Sequence, residues 1–204
     1  MNSYLKFGQL AFLECGLLLL AIEGSFEMRF LLFACVVFLG ACVGKPALDD
    51  QKLSSGNFDL EEFFDGRVLA KGQFQDVFGT VRRRFDVVVT GTWDGKTLKL
   101  VEDFAYADGT TEQRIWRLEK TGPIVADQTW TGYADGVLGV ARGEERGDTF
   151  NWTYRIDLPV PEGTLRVSFD DWMWDLGGGR VLNRAYMKKY GVDIGEVLIT
   201  FEKQ

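Results

Sequence analysis

The sequence of 204 residues contains no histidine, only four prolines and only three cysteines. Without histidine the chain cannot build a Ser-His-Asp triad, a Cys-His dyad, a histidine zinc site or the usual histidine pH switch. Basic residues are also scarce, 23 against 30 acidic ones, which argues against a nucleic-acid partner. With 46% hydrophobic residues and 24 glycines, the composition argues against disorder and suits strands joined by tight turns.

Long apolar runs are absent except near the N-terminus, where residues 30–43 carry no charge. This run is too short to span a bilayer and is typical of the apolar region of a signal peptide. It ends in Leu39-Gly40-Ala41-Cys42, which resembles the lipobox of bacterial lipoproteins. The resemblance implies cleavage before Cys42, which then becomes the lipidated first residue of the mature protein.

The first 27 residues fit such a leader poorly. A signal peptide begins with a positive region, but residues 1–29 hold two basic and three acidic side chains. With a start at Met28, the charged groups before the apolar run would be Arg29 and the free N-terminal amine. Both are positive, as a signal peptide requires. We therefore predict that residues 1–27 precede the true start and that 28–41 form the signal peptide. The polar residues after Cys42, up to 57, are predicted to be a flexible tether.

The mature chain is expected at a membrane of the bacterial cell envelope. Cys15 and Cys35 lie in the leader, so Cys42 alone remains and no disulfide or cysteine metal site can form within one copy. Residues 42–204 are acidic, so we expect the acyl chains rather than surface charge to hold the protein at the membrane. Val43, not Asp, follows the cysteine. By the general pattern of Gram-negative lipoproteins this favours the periplasmic face of the outer membrane.

Residues 58–204 show the pattern of one all-β domain. Leu60, Phe63 and Phe64 have helical spacing and predict a short helical turn. After Gly66 apolar residues alternate with polar ones, and turn signals such as Asp108-Gly109 recur between the alternating runs. The predicted strands are 67–76, 80–92, 97–106, 111–120, 124–133, 137–145, 149–158, 164–174, 180–187 and 194–202. Such an antiparallel meander hides its edges best as a closed, lipocalin-like β-barrel, with a β-sandwich as the alternative.

Charged residues interrupt apolar strand faces at Glu102, Arg114 and Asp171. An inward charge must be paired or hydrated, so we expect both carboxylates to pair with Arg114, with Arg84 and Arg184 as further partners. Glu102 and Arg114 share a face only if the connection between their strands has an odd number of residues, which we predict. Three interpretations stay open for this cluster: an ion-pair network that fixes strand register, a site for a ligand headgroup, or catalysis.

Aromatic side chains accompany these charges and complete a candidate ligand site. The candidate ligand-binding residues are Arg84, Glu102, Tyr106, Arg114, Trp116, Trp152, Tyr154, Asp171, Met173 and Arg184. Asp170 and Asp171 are adjacent on a strand and point to opposite faces, so they cannot form a catalytic pair without a bulge. Trp172 and Trp174 are candidate contacts for a partner. The sequence predicts no catalytic residue, metal or cofactor.

A set of short motifs is spread along the mature chain: Leu60-Glu61 with Phe63-Phe64 and Gly66, Gly72-Gln73-Phe74, Arg84-Phe85, Gly91-Thr92-Trp93, Glu102-Asp103-Phe104, Tyr106, Asp108-Gly109, Arg114, Trp116, Asp170-Asp171-Trp172-Met173 and Asn183-Arg184. Together they resemble a bacterial lipoprotein family, the domain of unknown function 3833. The resemblance covers about residues 45–203. It implies a lipoprotein whose genes have neighbours acting on fatty acids, but no established activity, cofactor or catalytic residue.

Three hypotheses for function follow. The first is a lipid-anchored barrel that binds or carries an apolar ligand such as a fatty acid or lipid. The second is an envelope interaction or structural lipoprotein with a filled core, for which the sequence names no protein partner. The third is a lipid-modifying enzyme with Glu102 or Asp171 as acid or base beside Arg114. Whether the barrel is hollow decides between the first two, and the sequence does not show it.

Overall fold

The computed structural model describes residues 44–122, 127–160 and 163–204, without the side chain of Asp127. The proposed extension, the signal peptide and Cys42 lie outside the described residues. Residues Pro46–Gln204 form one structural unit. Of the other unit, Met1–Lys45, the structure describes only residues 44 and 45. Among the described residues, no helix has the length and apolar character needed to cross a bilayer.

The described unit is a ten-stranded antiparallel barrel that begins with one short helix. The elements are α1 (Leu60–Phe64), β1 (Gly66–Asp76), β2 (Val81–Trp93), β3 (Thr97–Tyr106), β4 (Thr111–Lys120), β5 (Asp127–Ala134), β6 (Ala141–Arg146), β7 (Thr149–Val160), β8 (Gly163–Gly177), β9 (Arg180–Lys189) and β10 (Val192–Lys203). Each strand pairs with its neighbours in sequence, and β1 pairs with β10 from Val68↔Lys203 to Asp76↔Gly195. The predicted barrel and helical turn are therefore confirmed, and the sandwich alternative is wrong.

The meander gives the barrel two different ends. At the closed end lie α1 and the strand ends at which β2 is followed by β3, β4 by β5, β6 by β7 and β8 by β9. At the open end lie the strand ends of the other five successions, from β1–β2 to β9–β10. Apolar residues at alternate positions of each strand face inward, since successive side chains point to opposite faces. Val87 and Val89 on β2 and Leu98 and Leu100 on β3 are examples.

Helix α1 plugs the closed end. Its buried side chains Leu60, Phe63 and Phe64 join the core. Asp59 caps the helix N-terminus by accepting a hydrogen bond from the Glu62 backbone N–H. Lys203, the last residue of β10, donates from Nζ to the backbone oxygens of Phe63 at 3.1 Å and Asp65 at 2.9 Å. The final strand therefore holds the C-terminal carbonyls of the plug.

The segment before the plug follows the closed end of the barrel. Asp148, which is fully buried, accepts hydrogen bonds from the backbone N–H groups of Leu53 at 2.5 Å and Ser54 at 2.8 Å. Arg146 pairs with Asp49 at 2.6 Å. In its described part, the segment is thus bound to the barrel, which differs from the flexible tether we expected up to residue 57. The boundary at residue 58 stays a prediction.

Candidate functional site: a cavity inside the barrel

The barrel is hollow over part of its length. A cavity of about 390 Å³ extends from the plug, where Leu60 and Phe64 form its floor, toward the open end. Its walls are mainly aromatic and aliphatic, and Phe74, Ile194 and Val197 line it near the opening. A volume of this size and a mainly apolar lining are typical of sites for small organic ligands.

Most of the predicted ligand-binding residues line this cavity. They are Glu102, Tyr106, Arg114, Trp116, Trp152, Tyr154, Asp171 and Met173. Trp116 and Trp152 meet edge to face at 5.7 Å, and Tyr154 stacks on Phe169 at 5.2 Å, so the aromatic wall is held by its own ring contacts. The inward alternation of β3, β4, β7 and β8 carries these residues to one interior.

Arg84 and Arg184 do not belong to the site, and both predictions are wrong for the same reason. The residues beside Arg84 on β2, Arg83 and Phe85, line the cavity, so the side chain of Arg84 points outward and is exposed. The residues beside Arg184 line it likewise, and Arg184 instead donates from Nε to Glu196 Oε2 at 2.6 Å. Their charge suggested a role that the alternation of the strand excludes.

Three polar residues of the cavity were missed by the sequence analysis: Arg83, Glu112 and Asn183. The guanidinium carbon of Arg83 lies 3.3 Å from the ring centre of Tyr106, near the open end. Each of the three lies two positions along its strand from an inward-facing residue and therefore shares its face. Arg83 is matched in this way with Phe85, and Glu112 with Arg114. Counting positions along each strand would therefore have found them.

Glu102 and Arg114 lie directly opposite each other on β3 and β4. The pair Ala105↔Thr111 leaves an odd number of residues, 106–110, between the paired positions, and Glu102 and Arg114 share the inward face as predicted. The ion pair of Arg114, however, is with Glu112, whose Oε1 lies 2.8 Å from Arg114 Nη2. Tyr106 donates from its hydroxyl to the other carboxylate oxygen of Glu112 at 2.8 Å. Arg114 therefore interacts with Glu102 electrostatically, whereas Glu112 is its hydrogen-bonded partner.

Asp171 also differs from the prediction that it pairs with Arg114. Its Oδ1 accepts a hydrogen bond from Asn183 Nδ2, and Asn183 donates as well to the backbone oxygen of Trp172 at 2.9 Å. The carboxyl is thus held by a neutral amide on the adjacent strand β9. Asp170 lies on the opposite face and accepts from Asn151 Nδ2 at 3.0 Å, as the strand alternation requires.

Burial shifts the titration of the inward carboxyls of Glu102 and Asp171. It raises the pKa of Glu102 to about 7, an effect that the nearby Arg114 charge reduces. It also raises the pKa of Asp171 to about 7, although the hydrogen bond from Asn183 acts in the opposite direction. Burial raises the pKa of Tyr154 as well, so its phenol stays neutral. Near neutral pH the cavity therefore holds carboxyls that can donate a proton in a hydrogen bond.

The two tryptophans proposed as partner contacts lie on the outward face of β8. Trp172 is buried at 7% exposure and stacks on Trp174 with ring centres 6.4 Å apart. Trp174 is half-buried. Of the two, Trp174 thus offers the larger surface, and a partner for either stays a prediction. Within the described ranges, no cluster of three or more metal-ligating side chains occurs.

Comparison with protein families matches residues 36–203 to the family described as Protein of unknown function (DUF3833). The chain belongs to this family. The match confirms the family resemblance found in the sequence motifs, and it covers both the plug and all ten strands. No protein in a search of curated proteins matches the chain.

A solved structure with a similar fold supports the barrel fold of this chain. An S-type phycobiliprotein lyase from Guillardia theta superposes with a TM-score of 0.53 at 10% sequence identity. The similarity covers 72% of this chain and 93% of the lyase chain. At this identity the likeness establishes the lipocalin-like barrel fold, a scaffold consistent with ligand binding in general.

Proposed function

We propose that this protein is a membrane-anchored bacterial lipoprotein whose barrel binds or carries an apolar ligand, such as a fatty acid or lipid. The observation that carries the proposal is the cavity of about 390 Å³, because its aromatic and aliphatic walls would otherwise remain in contact with water. The hollow interior supports this proposal over the alternative in which a filled core serves only structure or interaction.

The polar residues of the cavity suggest how such a ligand is oriented. Arg114, Glu112 and Glu102 lie on one part of the wall, and the floor at Leu60 and Phe64 is apolar. An acyl chain would extend toward the floor, where its burial would not deprive a polar side chain of a hydrogen-bond partner. The ligand's polar group would meet Arg114 and the protonated form of Glu102, which can donate to a carbonyl or carboxylate oxygen.

The membrane anchor rests on the sequence alone, through the lipobox ending in Cys42. Two or more acyl chains on Cys42 would give stable attachment, which a single chain does not. Val43 supports location at the periplasmic face of the outer membrane. Mass spectrometry of the mature N-terminal peptide tests this part, because a lipidated Cys42 has a mass that an unmodified cysteine or an uncleaved leader cannot match.

Native mass spectrometry of residues 46–204 tests ligand binding directly, because this range contains the plug and the whole barrel. We expect a bound mass that is lost on denaturation and matches a fatty acid or lipid. A protein that carries nothing and regains nothing after addition of palmitate and phospholipid would contradict the proposal. The variant Ala185→Phe, which fills the cavity wall, serves as the matched control and is expected to retain no ligand.

A lipid-modifying enzyme is the second candidate. The observation that favours it is that Glu102 and Asp171 line one cavity and both have a pKa of about 7, near the value that suits an acid or base at neutral pH. Buried carboxyls with such pKa values are also common in purely structural networks. Incubation with phospholipids and fatty acids should then give a product of changed mass, which Glu102→Gln abolishes; unchanged lipids would exclude this activity for those substrates.

A further inference from the structure

Exposed apolar side chains concentrate at one corner of the open end. Val77 is 55% exposed, Phe78 89%, Tyr190 94% and Val192 66%. These residues belong to the β1–β2 and β9–β10 hairpins, which are neighbours because β1 pairs with β10 up to Asp76↔Gly195. We call these four residues the open-end tip. Adjacent exposed apolar residues of this size mark an interaction surface, unlike single ones scattered over a protein.

The turn at the tip holds a bulky residue in the left-handed backbone region. Lys189 pairs with Val192, so Tyr190 and Gly191 form a two-residue loop with φ of +53° and +82°. Such a turn favours Asn-Gly, since a bulky residue is costly in the left-handed region. Among the described residues, Tyr190 is the single non-glycine with positive φ. A fully exposed tyrosine held there gains nothing from packing within the barrel, which points to a role outside it.

The two hairpins that carry the tip are basic although the chain is acidic. Residues 76–84 and 187–193, which form the two hairpins and the adjoining strand ends, contain five basic and two acidic residues. The basic ones are Arg82, Arg83, Arg84, Lys188 and Lys189; Arg82 pairs with Asp76 at 2.6 Å, and Arg83 pairs with Asp108 at 3.3 Å. An apolar tip beside a net excess of basic residues is complementary to a membrane surface with anionic headgroups. Tyrosine is also enriched at the membrane–water interface, where its ring lies at the headgroup level.

The tip adjoins the opening of the cavity. Phe74 on β1 and Ile194 on β10 line the cavity, and each lies within a few residues of the tip on its own strand. A molecule that leaves a membrane at the tip would therefore meet the apolar side of the opening, formed by Phe74 and Ile194. The opposite end is occupied by α1, so a ligand cannot use it while the plug is in place.

We propose that the open-end tip docks onto the surface of a phospholipid membrane containing anionic lipids. Docking places Phe78 and Tyr190 in the headgroup region, with the basic residues beside the lipid phosphates. The exchange of ligand at that surface rests on the proposed function, but docking itself does not. Docking by the tip is distinct from attachment through Cys42, because it depends on side chains of the barrel itself and not on acyl chains.

Site-specific photocrosslinking in cells that express the full chain tests this proposal. Benzoylphenylalanine replaces Phe78 or Tyr190 in turn, and Tyr133, which is 52% exposed on β5, is the control position. After irradiation, mass spectrometry identifies the adducts. We expect lipid adducts at both tip positions at least about fivefold above those at Tyr133. Equal lipid adducts at all three positions, adducts with protein alone, or no adduct would each overturn the proposal.

Two variants show whether the chemistry of the tip is responsible. With the photoprobe at Val192, Tyr190→Asn should lower lipid adducts several-fold while leaving the fold intact, because Asn favours this turn. Its melting temperature should equal or exceed that of the wild type. Arg84→Gln with Lys189→Gln should also lower the adducts, since each basic group near the surface attracts anionic lipid. Unchanged adducts in both variants would contradict the proposal. Lipid adducts at the tip of a protein with an empty cavity would leave docking intact and remove only the exchange role.

Discussion

Arg114 is the residue on which the charges of the cavity converge. It pairs with Glu112 at 2.8 Å and lies opposite Glu102 on the neighbouring strand. Burial disfavours its charge, but the carboxylates of Glu102 and Glu112 raise the pKa of Arg114, so it remains ionised inside the barrel. A buried cation held in this way is stabilising only while its partners are present. The carboxylates thus fix Arg114 as a positive anchor for a ligand's polar group.

Removal of this anchor gives the first prediction. Arg114→Met should lower the affinity for palmitate by roughly 10- to 100-fold, the loss of one charge-assisted hydrogen bond. It should also destabilise the fold, since Glu112 and Glu102 are left without a cation. The double variant Arg114→Met with Glu112→Gln should recover much of the stability but not the affinity. Titration by calorimetry and thermal unfolding measure the two effects, and recovery of affinity in the double variant would contradict the assigned role.

Glu102 gives a prediction for the dependence of stability on pH. Its pKa is about 7 in the folded protein, against an ordinary value of 4.5 for an exposed glutamate, so unfolding releases a proton between these values. The unfolded state then binds fewer protons, and the free energy of unfolding falls as pH rises from about 4.5 to about 7. Glu102→Gln removes this contribution. It should be more stable than wild type by about 1–3 kcal/mol at pH 8 and equal to it at pH 4.

Denaturant unfolding at the two pH values measures this difference. Asp103→Asn, on the outer face of the same strand, is the control for the loss of a carboxylate without loss of a cavity group. A Glu102→Gln variant that is equally stable or less stable than wild type at pH 8 would show that the Arg114 charge outweighs the effect of burial at this position.

At the scale of elements, the plug depends on close contact between α1 and β2. A Cβ atom at Gly91 would lie 1.7 Å from the backbone oxygen of Phe64, at the end of the helix. Gly91→Ala should therefore displace the plug and destabilise the protein by about 2–4 kcal/mol. Hydrogen exchange should show faster exchange in residues 58–64 than in the strands. Thr90→Ala, an exposed position beside it, is the control and should change little.

The sequence predicted the elements well because the period-two alternation directly reflects which face of each strand is buried. The same alternation brought Glu102, Arg114 and Asp171 inside correctly. Arg84 and Arg184 failed because they were chosen by charge, and one position along a strand reverses the face. The sequence did not predict the cavity. Its volume depends on how closely aromatic rings pack against glycines on the neighbouring strands. At Gly143, for example, a Cβ atom would lie 2.5 Å from the Trp152 ring.

For the whole molecule, eight of the ten strands contribute residues to the cavity wall, and closure of the barrel links these strands to β5 and β6. Binding in the cavity should therefore stabilise the complete unit and not one hairpin. At a palmitate concentration of about 100 times Kd, the free energy of unfolding should rise by about 2.7 kcal/mol. Thermal unfolding of residues 46–204 with increasing palmitate measures this, and the melting temperature should increase with the logarithm of the ligand concentration.

Two alanine variants separate binding in the cavity from binding to the outer surface. Ala185 is buried and lines the cavity, whereas Ala105 is exposed on β3. Ala185→Phe should abolish the increase in melting temperature with palmitate, because the added ring occupies the space of the ligand. Ala105→Phe adds the same ring outside and should leave the increase unchanged. If palmitate stabilises both variants equally, it binds elsewhere on the molecule, and the cavity is not the lipid site.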